Sequence, residues 1–193
     1  MIIGDRSGAR AAAINLFARL YGGLLREMGE QDSDWYFAYG SNLDPKTFCG
    51  RRRMQPLEAR RVLLPGFALK FDLGVGTSNR GVANVKPVAD EEVWGVAYQI
   101  KRTDIRRLDR SEGVHRNFYR RIRVSVVPDT GAPIEAFTYT SNRGRPDRLP
   151  SARYLGLIVI GARHHGLPDH WIETLRAWPL AHDERKERQR ELF

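Results

Sequence analysis

Two segments far apart in the chain carry side chains able to do chemistry. The first, Tyr36 to Leu43, reads YFAYGSNL. Tyr36, Phe37 and Tyr39 suit a pleated, half-buried surface. Gly40, Ser41 and Asn42 then break the pattern with residues that tolerate close backbone approach or positive φ and that bond neighbouring main-chain groups. Successive free N–H groups in such a turn form a concavity for a carboxylate or a phosphate. Read alone, Gly-Ser-Asn is more often an ordinary strand-ending turn. The second segment centres on Glu112, at the end of a short helix just before Gly113. A helix C-terminus disfavours a further anion by about 0.3–1 kcal/mol. Apolar neighbours such as Val114 and Phe118 would raise the carboxyl pKa further. A carboxyl tuned upward can take a proton and return it near neutral pH. Considered alone, Glu112 reads first as a surface glutamate in a loop.

Other candidates carry less. Over Phe118–Val127, alternation puts Phe118, Ile122, Val124 and Val126 on one face and Tyr119, Arg121 and Arg123 on the other, which faces either solvent or a polar cavity. Tyr154 falls in the first turn of a helix, where its hydroxyl could meet a ligand or simply join the core. His164 and His165 are adjacent, so they point to different helix faces and make a poor metal pair. The run Arg51-Arg52-Arg53 reads as a solvated surface.

The elements that must position these groups are strands first, then helices. Strands are predicted over Trp35–Tyr39, Ala59–Leu64, Phe67–Leu73, Val82–Lys86, Val93–Ile100, Tyr119–Val127 and Ile134–Thr140. Turn signals stand at Pro65-Gly66 and at Asp129-Thr130-Gly131. The pattern is α+β: a curved, mostly antiparallel sheet or small β-barrel with flanking α-helices, not a regular βα alternation. One short helix spans Thr103–Arg110, with Ile105 and Leu108 inward, Thr103 as N-cap and Gly113 as its stop. A second spans about Ala152–His165, stopped by Gly166. A third starts at Pro168 and runs to about Ala177.

Together these pieces resemble the γ-glutamylcyclotransferase family, within the AIG2-like superfamily. YFAYGSNL resembles the family's signature strand and substrate loop. EVWGVAYQI, Glu92–Ile100, looks like its central strand. LDRSEGV, Leu108–Val114, is similar to the segment bearing its catalytic glutamate, followed by a tyrosine at Tyr119. PSARYLGLIVIGARHHGLP, Pro150–Pro168, resembles the helix with its substrate-contacting tyrosine, Tyr154. The match spans about Trp35 to Ala177, and four pieces in register are specific where one is not.

The resemblance implies the γ-glutamylcyclotransferase-like fold and an enzyme that cyclises a γ-glutamyl amino acid or dipeptide, of the kind made in glutathione metabolism, to 5-oxoproline. The type is carbon–nitrogen lyase or acyltransferase. The substrate's α-amine would be the nucleophile and Glu112 the general acid/base. Gly40, Ser41, Asn42 and Leu43 would hold the substrate through main-chain N–H groups, and Tyr39, Tyr119 and Tyr154 would shape the pocket. Asp44 follows in the same loop; it repels a carboxylate if it faces the pocket, and otherwise caps the next turn. No cofactor is implied, matching the lack of a nucleotide or metal motif. A relative acting on γ-glutamyl amines or on a γ-glutamylated biosynthetic intermediate is the alternative within the enzyme class. A metabolite binder without turnover and a basic nucleic-acid-binding protein are the alternatives outside it. Arg120 and Arg121, beside Tyr119, are more basic than the family pattern leads one to expect and would alter substrate choice.

Composition bounds the rest. The chain has 193 residues and a formal charge of +9, with 32 Lys plus Arg against 23 Asp plus Glu. That excess favours anionic partners, but no specific nucleic-acid signature accompanies it. A single cysteine, Cys49, excludes an internal disulfide and suits a reducing, cytoplasmic compartment. No run is long and apolar enough for a transmembrane segment. Residues 1–34 read as an amphipathic helix over Ala11–Met28 plus a linker, either a dimer contact (a homodimer) or a flap on the monomer. Residues 35–180 form the domain and 181–193 a charged tail.

Overall fold

The computed structural model describes residues 32–74, 79–146 and 148–182. The expected N-terminal helix lies outside them, as does the tail beyond His182. Five strands close into a barrel: β1 (Ser33–Ala38), β2 (Glu58–Gly74), β3 (Gly81–Lys101), β4 (Arg120–Pro128) and β5 (Ile134–Thr140). Their order around the barrel is β1-β3-β2-β4-β5. All neighbours are antiparallel except β1 and β5, which run parallel through Trp35↔Ala136 and Tyr36↔Phe137. Closure leaves no free sheet edge.

Two pairs of predicted strands are fused. β2 is one 17-residue strand and β3 one 21-residue strand. Pro65-Gly66 is therefore not a turn. It is a bulge at which the register shifts between Pro65 and Phe67, with Gly66 at φ 72. A bulge accommodates both the missing proline N–H and the left-handed glycine, and it bends the ribbon so that one strand can serve two walls. The Asp129–Gly131 signal does mark the β4–β5 hairpin, whose register runs from Val126↔Ile134 to Arg120↔Thr140.

Three helices flank the barrel: α1 (Arg102–Ser111), α2 (Ala152–His164) and α3 (Asp169–Arg176). The N-cap position of α1 is Lys101, with no side-chain cap, so Thr103 is not its N-cap; the helix starts directly where β3 ends. Ile105 and Leu108 bury its inner face as expected. Gly113, at φ 69, ends that region. α2 is capped by Ser151, whose side chain accepts from the Tyr154 N–H at 3.2 Å. Gly166, at φ 62, follows its end. None of the described helices is long and apolar enough to cross a membrane.

The core is rich in aromatic rings. Phe48 stacks on Tyr98 with centroids 4.3 Å apart, and Tyr36 packs between Phe48 and Phe137 at 5.8 and 5.5 Å. These rings, with Leu43, Val62, Val96, Ile100 and Leu108 fully buried, form the rigid floor beneath the YFAYGSNL loop.

Candidate active site

The loop leaves β1 at Ala38 and makes a tight turn over Ser41–Leu43. Leu43 N–H donates to the Gly40 carbonyl at 2.9 Å and Asp44 N–H to the Ser41 carbonyl at 3.2 Å. These two donors are spent on closing the turn, so Leu43 does not offer its N–H to a ligand. Its side chain is fully buried in the core. Gly40, Ser41 and Asn42 donate to no main-chain carbonyl among the described residues. Gly40 is favoured by closeness rather than by positive φ: its φ is −108, and an added Cβ would make tight contacts, 3.1 Å from Ala83 Cβ and 3.3 Å from the Tyr154 hydroxyl.

Asp44 is not a pocket residue. It is 4% exposed, and its Oδ2 accepts from Thr47 N–H at 2.9 Å and Thr47 Oγ1 at 2.8 Å. It caps the next helical segment, Lys46–Arg51, which delivers Arg52.

α2 seats the loop from outside. A Cβ on Gly161 would lie 2.3 Å from the Leu43 carbonyl carbon and 2.5 Å from the Asp44 nitrogen. Helix backbone and loop backbone are thus in contact, with no room for a methyl group. We expect Gly161→Ala to cost about 1–3 kcal/mol of stability and to raise KM by displacing the loop. Chemical denaturation together with steady-state kinetics checks this; an unchanged midpoint would show that the loop yields freely.

Glu112 closes α1. Its N–H donates to the Leu108 carbonyl at 2.9 Å. α1 is pinned to the barrel by Ile105 and Leu108 and by the Tyr139 hydroxyl, which donates to Asp109 at 2.7 Å. The Glu112 carboxyl thereby meets the loop. Asn42 Nδ2 donates to Glu112 Oε1 at 3.0 Å and to the Tyr36 hydroxyl at 2.7 Å. The Arg52 guanidinium lies 3.0 Å from the same Oε1. Both contacts fall on Oε1.

Burial raises the Glu112 pKa above the ordinary carboxylate value; Arg52 and the Asn42 hydrogen bond pull it back, but not fully. Its side chain is 10% exposed and that of Arg52 16%. Desolvation therefore replaces the helix C-terminus as the main cause. The raised value is what acid/base work requires.

A narrow recess of about 30 Å³ lies at this junction, lined by Tyr39, Gly40, Ser41, Asn42, Glu112 and the tyrosines around them. It adjoins a wider cavity of about 800 Å³ that shares Ser41, Arg52, Glu112, Tyr119 and Tyr154. Tyr119 precedes β4 instead of belonging to it, so alternation misplaces it. It is 8% exposed, and its hydroxyl donates to the Ala83 carbonyl. Arg121 and Arg123 do face outward, paired with Asp109 and Asp34. The Tyr154 hydroxyl accepts from Ala83 N–H at 3.1 Å, and burial pushes its pKa up to about 12. The Tyr39 hydroxyl donates to the Tyr139 carbonyl. The His165 Nε2 meets the Tyr98 hydroxyl at 2.8 Å.

Three site residues escape a reading of the sequence. Arg52 sits in a run that looks solvated; only Arg51 and Arg53 are exposed. Tyr36 and Tyr139 occupy ordinary strand positions, and nothing local distinguishes an aromatic that faces a polar recess from one that faces the core. The sole hint for Arg52 is its place just after the turn that Asp44 caps.

The chain is 31% identical over 164 residues to the human gamma-glutamylcyclotransferase, a match covering 77% of this chain and 80% of that protein. The chain belongs to the γ-glutamylcyclotransferase family. The AIG2-like family model matches residues 92–175, the span from the middle of β3 through most of α3. A second relative is the gamma-glutamyl cyclotransferase gliK of Aspergillus fumigatus, 33% identical, with 68% of this chain and 57% of that one covered. Among solved structures, a gamma-glutamyl cyclotransferase superposes with a TM-score of 0.69 at 28% identity, covering 83% of this chain and 99% of that chain. The closed barrel and helices described above are thus the family's fold, and YFAYGSNL and Glu112 meet within it.

Proposed function

We propose that this chain converts a γ-glutamyl amino acid or dipeptide into 5-oxoproline and a free amine, with Glu112 as general acid and base. The observation that carries this reading is one carboxyl, raised in pKa by burial, held by Arg52 and Asn42 at the bottom of a cavity beside a loop whose Gly40 and Asn42 N–H groups meet no main-chain carbonyl among the described residues.

The chemistry follows from those groups. The α-ammonium of the substrate is no nucleophile until it loses a proton. Glu112 Oε2 takes that proton. The amine attacks the γ-carbonyl of its own residue, forming the lactam C–N bond. The carbonyl oxygen becomes an oxyanion, and N–H donors of Gly40, Ser41 or Asn42 support it; one such donor is typically worth about 10²–10³ in rate. The ring nitrogen gives up its second proton to solvent, and the bond to the leaving nitrogen breaks as Glu112 returns its proton there, leaving the neutral lactam and the free amine. Holding the chain bent is the larger part of the work, since well-oriented intramolecular attack reaches effective molarities of about 10⁵–10⁸ M.

Two further atoms fit the glutamyl end. Asn42 Oδ1 and Arg52 Nε are buried with no protein partner. They offer an acceptor for an ammonium and a donor for a carboxylate, on the two residues that position Glu112. Buried polar atoms are rarely left this way.

The direct test is incubation of purified protein with a panel of γ-glutamyl dipeptides and γ-glutamyl amines. Release of 5-oxoproline in step with the free amine is expected. Ligand-dependent thermal stabilisation without turnover would leave only a binding protein.

A further inference from the structure

The outer cavity is built for more negative charge than an ordinary γ-glutamyl dipeptide brings. Its rim carries Arg51, Arg110, Arg116 and Arg143 in addition to Arg52, and Glu112 is its only carboxylate among the described residues. Arg52 is committed to Glu112. The other four have no carboxylate within ion-pair distance among the described residues. Arg116 Nε meets His115 Nε2 at 3.1 Å, and Arg143 reaches the Arg116 carbonyl at 3.5 Å; neither contact neutralises a charge. Beyond Arg110 the cavity continues into a groove of about 540 Å³ that adds Arg53 and Arg107. Arg107 alone of these is paired, with Asp104.

Elsewhere on the described surface, arginines at barrel positions do find acids: Arg60 with Glu58, Arg61 with Asp129, Arg121 with Asp109, Arg123 with Asp34. Arg102, Arg106, Arg120, Arg153 and Arg163 also form no ion pair among the described residues, but they lie outside this cavity, whereas its lining brings five arginines together around Glu112. Like charges at this spacing raise the potential of a cleft with low-dielectric walls.

We propose that the leaving group of the substrate is acidic, carrying at least one anionic group beyond the α-carboxylate, as a γ-linked glutamate or a phosphorylated amine would. The proposal rests on the cyclotransferase reading: with the glutamyl end in the recess at Glu112, the leaving group is the part that projects into the arginine-lined cavity. A neutral amino acid supplies a single carboxylate there. A second anion is held by guanidiniums that have no carboxylate partner among the described residues.

The test compares near-isosteric pairs by 5-oxoproline release: γ-glutamyl-glutamate against γ-glutamyl-glutamine, and γ-glutamyl-phosphoserine against γ-glutamyl-serine. At low salt kcat/KM is expected to favour the acidic member of at least one pair by about tenfold, and the larger ratio identifies carboxylate or phosphate as the preferred group. The ratio should shrink between about 0.01 M and 1 M salt as the screening length contracts from about 30 Å to 3 Å. It should also collapse toward one in Arg116→Gln/Arg143→Gln and in Arg110→Gln. Ratios near one in the parent protein overturn the proposal while leaving cyclotransferase activity intact. Ratios that survive both the salt and the substitutions also overturn it. No 5-oxoproline from any of the four compounds overturns the underlying reading, and the proposal with it.

Discussion

Glu112→Gln is expected to lower kcat/KM for 5-oxoproline formation by about 10³–10⁴-fold, the upper range for a lost general acid/base, because one carboxyl serves both proton transfers. The fold should survive. Glutamine keeps an oxygen for Arg52 and Asn42, the two groups 3.0 Å from Oε1. The sign of the charge effect also favours survival. The folded-state pKa of Glu112 is raised, so its contribution to stability is present at low pH and is lost as pH rises through that higher value. At neutral pH the buried charge is a burden that the amide lacks. The midpoint of thermal unfolding should therefore stay within a few degrees of the parent or rise. Turnover within a factor of a few of the parent, in a folded variant, would remove Glu112 from the mechanism.

The second large effect concerns Arg52. Its cation draws the Glu112 pKa down against burial. Arg52→Leu removes that counterweight, so the Glu112 pKa climbs further. The base must be ionised to accept the ammonium proton, and the acid limb of the kcat/KM profile moves to higher pH. Activity near pH 7 is expected to fall about 10–100-fold and to recover in part on the alkaline side, whereas Arg52→Lys, which keeps a charge, shifts the limb less. Stability moves in the opposite direction with pH. A carboxylate left buried without its partner costs about 3–5 kcal/mol when ionised, so Arg52→Leu should be least stable where its activity recovers. A uniform loss at every pH, with no displaced limb, would mean that Arg52 only holds the loop in shape.

The two substitutions separate chemistry from tuning, and they also divide what is legible locally from what is not. The strand-to-loop change at Gly40-Ser41-Asn42, the helix end at Glu112-Gly113, the β4–β5 hairpin at Asp129–Gly131 and the α2 stop at Gly166 all follow from backbone preferences of a few adjacent residues. The structure places each of them as read. Pro65-Gly66 reads as a turn and forms a bulge, because the same residue types serve both; the 17-residue span of β2 is decided by its partner β3, not by the dipeptide.

The amino-acid sequence thus determines by itself the pieces of the site: a strand ending in a Gly-Ser-Asn turn, a carboxyl at a helix end, and a tyrosine in the first turn of a helix. Only the tertiary structure decides that they meet. Parallel pairing of β1 with β5 closes the barrel, and α1, pinned at Tyr139, brings Glu112 to Asn42 across a separation of 70 residues. The same closure turns Arg52 inward while its neighbours Arg51 and Arg53 stay exposed. It leaves the Leu43 N–H consumed and Asp44 spent on capping. Burial and charge pairing depend on groups remote along the chain, so no local pattern encodes them. That is why the candidate carboxyl is legible from the sequence and the arginine beside it is not.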